Sequence, residues 1–331
     1  MVCYDNDNLF AEQPVYDAWL RKKGNATEIN LIVCRLLTQA GLVTSPMAVS
    51  TNPNRRIEQG DPQTEKFDRT VGYVTLNERN YVLDASEKDN KWYQIPFDLL
   101  NTYGLYMNVE KPSTGLIMIE DNVPARDAIF VNAEVLPEGK MFGTTQISSF
   151  SYNKIDKLLL YDKLGEKKYT ESLSRENNDL KIDSIKFQNK EKDTIPLIQN
   201  ITFKLNLPSS DDSYIYFNPN LFTGLNNNPF LSKDRFTNVD FKYLNNYIIS
   251  GRYKLPQGYK IEALPKSISL LMPDTSIKFK RIVAEQEGYI MIRYLIDFKK
   301  SYYIKEDYPL LFAFYKKMYE MLNEQIILKK S

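Results

Sequence analysis

A helix with both ends marked by the sequence is the strongest local constraint on this chain. It lies within residues 22–42, KKGNATEINLIVCRLLTQAGL. Asn25 is a favoured N-cap residue, and Glu28 follows three positions later, where its carboxylate can complete a capping box. Apolar residues then recur at helical spacing, and Gly41 suits the position just after the last turn. The sequence therefore predicts an amphipathic helix that buries one face.

Sequence patterns that predict β-strands follow this helix. Residues 42–51 predict a strand that Pro46 interrupts. Residues 69–86, RTVGYVTLNERNYVLDAS, alternate between apolar and polar positions on both sides of a turn near Asn77, which predicts a β-hairpin. We therefore expect an α+β fold, with a first domain over residues 1–140 in which a helix packs on an antiparallel sheet.

The rest of the chain, residues 141–331, has the pattern of a second domain rich in strands. Residues 152–176 are charged and predict a helix, and short strands separated by turns follow one another closely over residues 247–298. Regular short strands of this kind are typical of a β-sandwich. Residues 307–325 place apolar side chains on one helical face, so we expect a β-sandwich-like domain that ends in a helix.

Histidine is absent from all 331 residues. Its absence excludes Ser-His-Asp and Cys-His catalysis, His-ligated zinc and a histidine general base. Two cysteines do not suffice for a cysteine-only zinc site, and the sequence has no P-loop, so we expect neither a metal nor a cofactor. A net charge of +1 argues against a nucleic-acid partner bound by bulk charge.

Three phrases in order carry a resemblance to a known family. They are residues 22–42, SPMAVSTNPN at 45–54 and FDRTVGYVTLNERNYVLDAS at 67–86. Together they resemble the transglutaminase-like core of the papain-like superfamily, over about residues 14–110. In that family a cysteine begins the helix, a histidine lies on a strand about forty residues later, and an aspartate lies on the next strand.

The resemblance places the family's catalytic triad on residues that cannot perform its chemistry. The cysteine position is Ala26, the histidine position is Arg69 (or Thr70 if the alignment shifts by one), and only the aspartate is kept, as Asp84. An alanine methyl group cannot attack a carbonyl, and arginine stays protonated because its pKa is above about 12. Removing the nucleophile of a triad costs on the order of 10⁶-fold in rate. We expect a vestigial triad without catalytic residues, in which Asp84 forms an ion pair with Arg69.

Two alternatives to a non-catalytic binding or scaffolding protein remain at this stage. Cys34 lies two turns into the helix and is expected to be a buried structural thiol. The first alternative is an amidase, peptidase or acyl transferase that uses an unorthodox catalytic set, namely Thr27, Glu28, Arg69 and Asp84. The second is a purely structural module whose cleft is filled by its own residues.

Residues 205–331 carry a second resemblance, mainly through KLPQGYKIEALPKSI at 254–268 and EDYPLLFAFYKKMYEMLNEQIILKK at 306–330. They resemble the C-terminal β domain that follows this core in a group of exported bacterial proteins of unknown function. The resemblance implies a periplasmic or cell-surface location, although the chain shows neither a signal peptide nor a transmembrane stretch. It also implies a further β domain ahead of the core, so we expect this chain to be a piece of a longer exported protein.

The function expected from these observations is binding or scaffolding in the bacterial envelope, without catalysis. The binding site would be the vacated cleft between the helix and the hairpin, and its ligand a peptide, a protein or a glycan. The residues expected to line it are Asn25, Ala26, Thr27, Arg69 and Asp84.

Overall fold

The computed structural model describes residues 1–5, 7–51, 57, 60, 63–88, 90–108, 113–174, 179–208 and 213–331. It has an α+β architecture and divides into two compact units, Met1–Asn122 and Val123–Ser331. The division comes earlier than the position after residue 140 that the sequence suggested. Strand Ala125–Leu136 accounts for the difference, because it is hydrogen-bonded along its length to strands of the second unit.

The first unit combines two α-helices with an antiparallel five-stranded sheet among its described residues. The helices are α1 (Val15–Arg21) and α2 (Ala26–Gln39). The strands are β1 (Val2–Cys3), β2 (Lys23–Gly24), β3 (Val43–Val49), β4 (Arg69–Leu76), β5 (Arg79–Leu83), β6 (Thr102–Asn108) and β7 (Ser113–Ile119). The sheet has the order β5-β4-β3-β6-β7, and β1 pairs with β2 in parallel beside it.

The helix predicted from its end signals is confirmed as α2. Asn25 Oδ1 accepts from the Glu28 amide at 2.8 Å, and the Glu28 carboxylate accepts from the Asn25 amide at 3.0 Å, which completes the capping box. At the other end Gly41 has a φ of 86°, and the Leu42 amide donates to the Leu37 carbonyl. This is the Schellman arrangement, in which a left-handed residue ends the helix.

The predicted hairpin is also confirmed, as β4 and β5. Its two-residue turn consists of Asn77 and Glu78, both with positive φ, which matches the twist of the flanking strands. Pro46 lies within β3, a central strand of the sheet, and does not end it. Strand β3 pairs with β6 only at Met47 and Ala48. Pro46 has no N–H group, and on that side of the strand no hydrogen bond from its nitrogen is needed. Helix α2 packs on β3 and β4.

The second unit is built on one large sheet. Its helices are α3 (Tyr152–Ser174), which breaks at Gly165, and α4 (Tyr308–Leu322). Its strands are β8 (Ala125–Leu136), β9 (Lys140–Phe150), β10 (Leu180–Gln188), β11 (Leu197–Asn206), β12 (Tyr214–Phe217), β13 (Val239–Asp240), β14 (Asn245–Lys254), β15 (Tyr259–Ala263), β16 (Ile268–Leu271), β17 (Ile277–Gln286), β18 (Tyr289–Phe298), β19 (Tyr302–Tyr303) and β20 (Ile326–Lys330).

Eight of these strands form the sheet β10-β11-β9-β8-β14-β18-β17-β16, in which β8 and β14 pair in parallel. Its buried face shares one hydrophobic core with α4 and with the three-stranded sheet β12-β20-β15. The layer opposite the large sheet therefore combines a helix with a small sheet. The predicted final helix is α4, but the sequence analysis missed β20 beyond it, because this five-residue strand depends on distant partners.

None of the helices in the described parts of the chain is long and apolar enough to cross a membrane.

Candidate functional site

Ala26, the residue that the sequence resemblance aligned with a nucleophile, is buried inside the first unit. Ala26 begins α2 and is 0% exposed. Amides in the first turn of a helix have no acceptor within the helix. The Ala26 amide instead donates to the carbonyl of Asp5 at 2.8 Å. The chain itself therefore already supplies the acceptor for the Ala26 amide.

An irregular stretch of the same chain provides this cover, and we refer to Asp5 with residues 7–13 as the cleft segment. Side chains around the start of α2 donate to three consecutive carbonyls of the segment: Thr27 to Asn8 at 2.6 Å, Thr70 to Leu9 at 3.0 Å and Asn25 to Phe10 at 2.9 Å. The Thr27 hydroxyl also accepts from the Thr70 amide at 3.0 Å. The predicted site residues Asn25, Ala26 and Thr27 thus all hold this one segment.

Glu28 anchors the far end of the cleft segment. Its buried carboxylate accepts from the amides of Glu12 and Gln13 at 2.8 and 2.9 Å and from the Gln13 side chain at 3.0 Å. Burial alone would raise the pKa of Glu28, but these hydrogen bonds and the one from the Asn25 amide hold it below its ordinary value. An ionised Glu28 therefore both caps α2 and fixes the segment.

Arg69, at the family's histidine position, lies among three carboxylates. Its guanidinium is 2.8 Å from Asp84, 3.2 Å from Asp98 and 3.4 Å from Asp7. The ion pair with Asp84 that the sequence suggested is present, and both of its side chains are buried. Burial would lower the pKa of Arg69, but the charges of Asp84 and Asp98 raise it above its ordinary value. Arg69 is therefore a fixed cation with no capacity to act as a base.

Asp84 is fully engaged by its neighbours. One oxygen pairs with Arg69, while the other accepts from the Asn30 amide group at 2.9 Å and from the amide and hydroxyl of Ser86 at 3.0 and 2.6 Å. Burial raises the pKa of Asp84, but the hydrogen bonds from Ser86 and Asn30 and the charge of Arg69 together hold it below its ordinary value. It is an ionised acceptor in a structural network.

The sequence analysis missed Asn30, which lies one turn after Ala26 and joins the helix to the hairpin. Besides Asp84 it contacts the carbonyl of Thr70 at 3.0 Å, and its own oxygen accepts from the Ala85 amide at 2.7 Å. A polar amide on the buried face of an amphipathic helix is the signal that could have identified it, because buried amides need partners.

Asp7 and Asp98 gave no such signal. The fold of the chain brings both carboxylates close to Arg69. Local sequence patterns do not predict such long-range contacts. Burial raises the pKa of Asp98 and the charge of Asp84 adds to this effect, while Arg69 opposes it. Asp98 therefore protonates more readily than an ordinary aspartate.

The two cysteines are not candidates for a substitute nucleophile. Neither is in a disulfide. Cys34 is buried on α2, and this burial raises its pKa to about 11. A thiol with so high a pKa carries almost no thiolate at neutral pH, so Cys34 is an inert core residue, as the sequence analysis expected.

Within the described residues, the carboxylates and cysteines form no group of three or more that could hold a metal ion. Asp7, Asp84 and Asp98 surround Arg69, and the positive charge of this arginine would repel a metal cation.

Comparisons with known proteins extend this description. Residues 213–328, within the second unit, match DUF3858, a domain of unknown function with a solved structure. No curated protein matches the chain. Among solved structures, a protein from Parabacteroides distasonis described as a "putative protease" aligns with a TM-score of 0.47 and 11% identity. The alignment covers 96% of this chain and 46% of that protein, so the chain spans about half its length.

Proposed function

We propose that this protein is a non-catalytic structural module whose first unit retains a transglutaminase-like cleft and fills it with a segment of its own chain. One observation carries the proposal. Four carbonyls of the cleft segment, those of Asp5, Asn8, Leu9 and Phe10, accept hydrogen bonds from donors clustered around Ala26. The segment covers Ala26, the residue that the sequence resemblance aligned with a nucleophile.

The same contacts weigh against the enzyme alternative. A threonine nucleophile needs a base beside its hydroxyl, but the Thr27 hydroxyl donates to a carbonyl and accepts from a backbone amide. The remaining residues of the unorthodox catalytic set are also engaged in structural contacts. Glu28 caps α2 and binds the cleft segment, and Asp84 is paired with Arg69. The geometry supports the structural use of every polar group in the set.

The chemistry of the donors favours a polypeptide over a glycan as the occupant. They are single hydroxyl, side-chain amide and backbone N–H groups that donate to backbone carbonyls, and a polypeptide offers such carbonyls at every residue. An external peptide or protein would have to displace the cleft segment to reach them. The proposal therefore assigns the cleft to the chain's own segment, which the unit holds as a scaffold.

The proposal includes a location in the bacterial envelope. Its support is the resemblance of residues 205–331 to a domain of exported bacterial proteins. Fractionation of cells that express the protein would test it, and recovery in the cytosolic fraction alone would contradict it.

An activity assay tests the absence of catalysis. We expect no hydrolysis or acyl transfer on peptide libraries by the wild-type protein, because no nucleophile with a base is available at the site. Thr27→Val and Asp84→Ala are the matched variants, since they remove the two groups that an unorthodox mechanism would need. Turnover by the wild type that both substitutions abolish, with Thr27→Val still folded, would overturn the proposal.

A further inference from the structure

The second unit contains a cavity of about 210 Å³ that the proposed function does not use. It lies between α4, strands β14 and β18 and the chain that precedes them. Six aromatic rings make up most of its wall: Phe241, Tyr243, Tyr247, Phe298, Tyr315 and Tyr319. An exposed proline, Pro229, and the half-buried Leu225 lie at its rim, so the cavity has an opening to solvent on that side.

The inner wall is ordered by ring stacking. The Tyr315 ring lies parallel to Phe241, with 5.9 Å between centroids and 7° between planes, and it also stacks on Tyr319 at 5.9 Å. Tyr315 is only 4% exposed, and Tyr319 is buried as well. Stacked, buried rings keep their positions, so the cavity is a preformed space.

Two tyrosine hydroxyls at this wall still have a hydrogen to donate. The Tyr315 hydroxyl has no hydrogen-bond partner among the described residues. The Tyr247 hydroxyl accepts from the Asn245 side chain at 2.8 Å, and within the described part of the chain its own hydrogen has no acceptor. Burial raises the pKa of both phenols, so they are neutral donors. A ligand oxygen in the cavity would accept from these hydroxyls and add hydrogen bonds that the described part of the chain does not supply.

The Asn245 amide group is itself held in place. Its oxygen accepts from the Asn153 side chain at 2.9 Å, which leaves its nitrogen to face Tyr247. The orientation of the Tyr247 hydroxyl is therefore set by a hydrogen-bonded chain of three side chains. This pre-organisation is what a specific binding site requires, because little ordering is left for the ligand to impose.

We propose that this cavity binds a small monocyclic aromatic molecule that carries one hydrogen-bond acceptor, such as a phenol. An apolar cavity of about 150 Å³ suffices to bind benzene, so a ring with one polar substituent fits the volume found here. A sugar is disfavoured, because the wall offers few polar groups for its many hydroxyls. An organic cation is disfavoured because hydroxyl hydrogens without acceptors would point at it.

Ligand titration tests this proposal, with binding to the intact protein followed by NMR or calorimetry. Phenol is expected to bind with a Kd of about 1 mM or tighter, and toluene more weakly, because only phenol supplies an acceptor. Tetramethylammonium, the probe for a cation site, is expected not to bind. Leu225→Trp, which fills the rim, is expected to weaken phenol binding at least about 10-fold. Leu231→Trp, at an exposed position, is its control.

Tyr315→Phe separates the hydroxyl from the ring. It keeps the stacking and is expected to weaken phenol binding by about 5- to 10-fold while leaving toluene unchanged, as the loss of one hydrogen bond predicts. Tyr259→Phe, outside the cavity, is expected to change neither. If phenol fails to bind, binds equally to Tyr315→Phe and wild type, or is outcompeted by tetramethylammonium, the proposal is wrong. The cavity lies within the second unit, so these results leave the proposal for the cleft untouched.

Discussion

Asp84→Ala is expected to lower the free energy of unfolding of the first unit by about 3–5 kcal/mol. The substitution leaves the buried guanidinium of Arg69 without its partner at 2.8 Å. It also removes the acceptor of the hydrogen bonds that Asn30 and Ser86 donate. Breaking a buried ion pair by removing one partner is costly because the other charge stays in a desolvated position. Asp98 and Asp7 remain near Arg69 but are partly exposed and compensate only in part.

Urea denaturation followed by tryptophan fluorescence measures this effect. The chain has two tryptophans, Trp19 and Trp92, and both lie in the first unit, so the signal reports that unit alone. Asp7→Asn is the matched control. It removes an exposed carboxylate from the same arginine and is expected to cost under about 1 kcal/mol. Equal, small losses for both variants would show that the Arg69–Asp84 pair is not structural.

The difference in unfolding free energy between wild type and Asp84→Ala depends on pH, and its dependence follows from the lowered pKa of Asp84. Asp84 has a folded-state pKa below its ordinary value of 3.8, so its stabilising contribution is fully present above that pH. The gap in unfolding free energy between wild type and Asp84→Ala should therefore persist through neutral pH and narrow as the pH falls below 3.8. A gap that narrows on raising the pH instead would contradict the assignment of Asp84 as an ionised acceptor.

Glu28→Ala is the second substitution with a large expected effect, about 3–4 kcal/mol on the same unfolding free energy. It removes half of the capping box and leaves the amides of Glu12, Gln13 and Asn25 without their acceptor. The cost exceeds that of an ordinary helix cap, because the carboxylate is charged and buried and also anchors the cleft segment.

Two companion variants define the origin of this loss. Glu12→Ala removes a neighbouring exposed carboxylate and is expected to cost within about 0.5 kcal/mol. Glu28→Gln keeps the shape but not the charge, and is expected to fall between the two. If Glu28→Ala costs no more than Glu12→Ala, the cleft segment is not held by Glu28 and the description of its far end is wrong.

Local signals in the sequence predicted the scaffold of the first unit well. Asn25, Glu28 and Gly41 specify the two ends of α2 through contacts a few residues apart, and the turn at Asn77 specifies the hairpin. The pairing of Arg69 with Asp84 could be inferred because both were placed on adjacent strands by the family resemblance.

The cover over Ala26 could not be predicted in the same way. The cleft segment has no regular pattern, and its contacts join residues 15 to 62 positions apart in the chain. Asn30 also makes its contacts 40 to 55 residues away, with strand β4 and with the two residues that follow β5. Strand β20 could not be predicted for the same reason, because its pairing with β12 and β15 is set by the tertiary fold.

Amide hydrogen exchange at Ala26 tests the central claim, that the cleft is occupied by the chain's own segment. As the first residue of α2, Ala26 has no acceptor within the helix, so any protection of its amide comes from the Asp5 carbonyl. The account predicts exchange at least about 100-fold slower than in an unstructured peptide. Exchange of Ala26 at the unstructured rate, while the amide of Ile32 within the same helix stays protected, would show an open cleft and contradict the account.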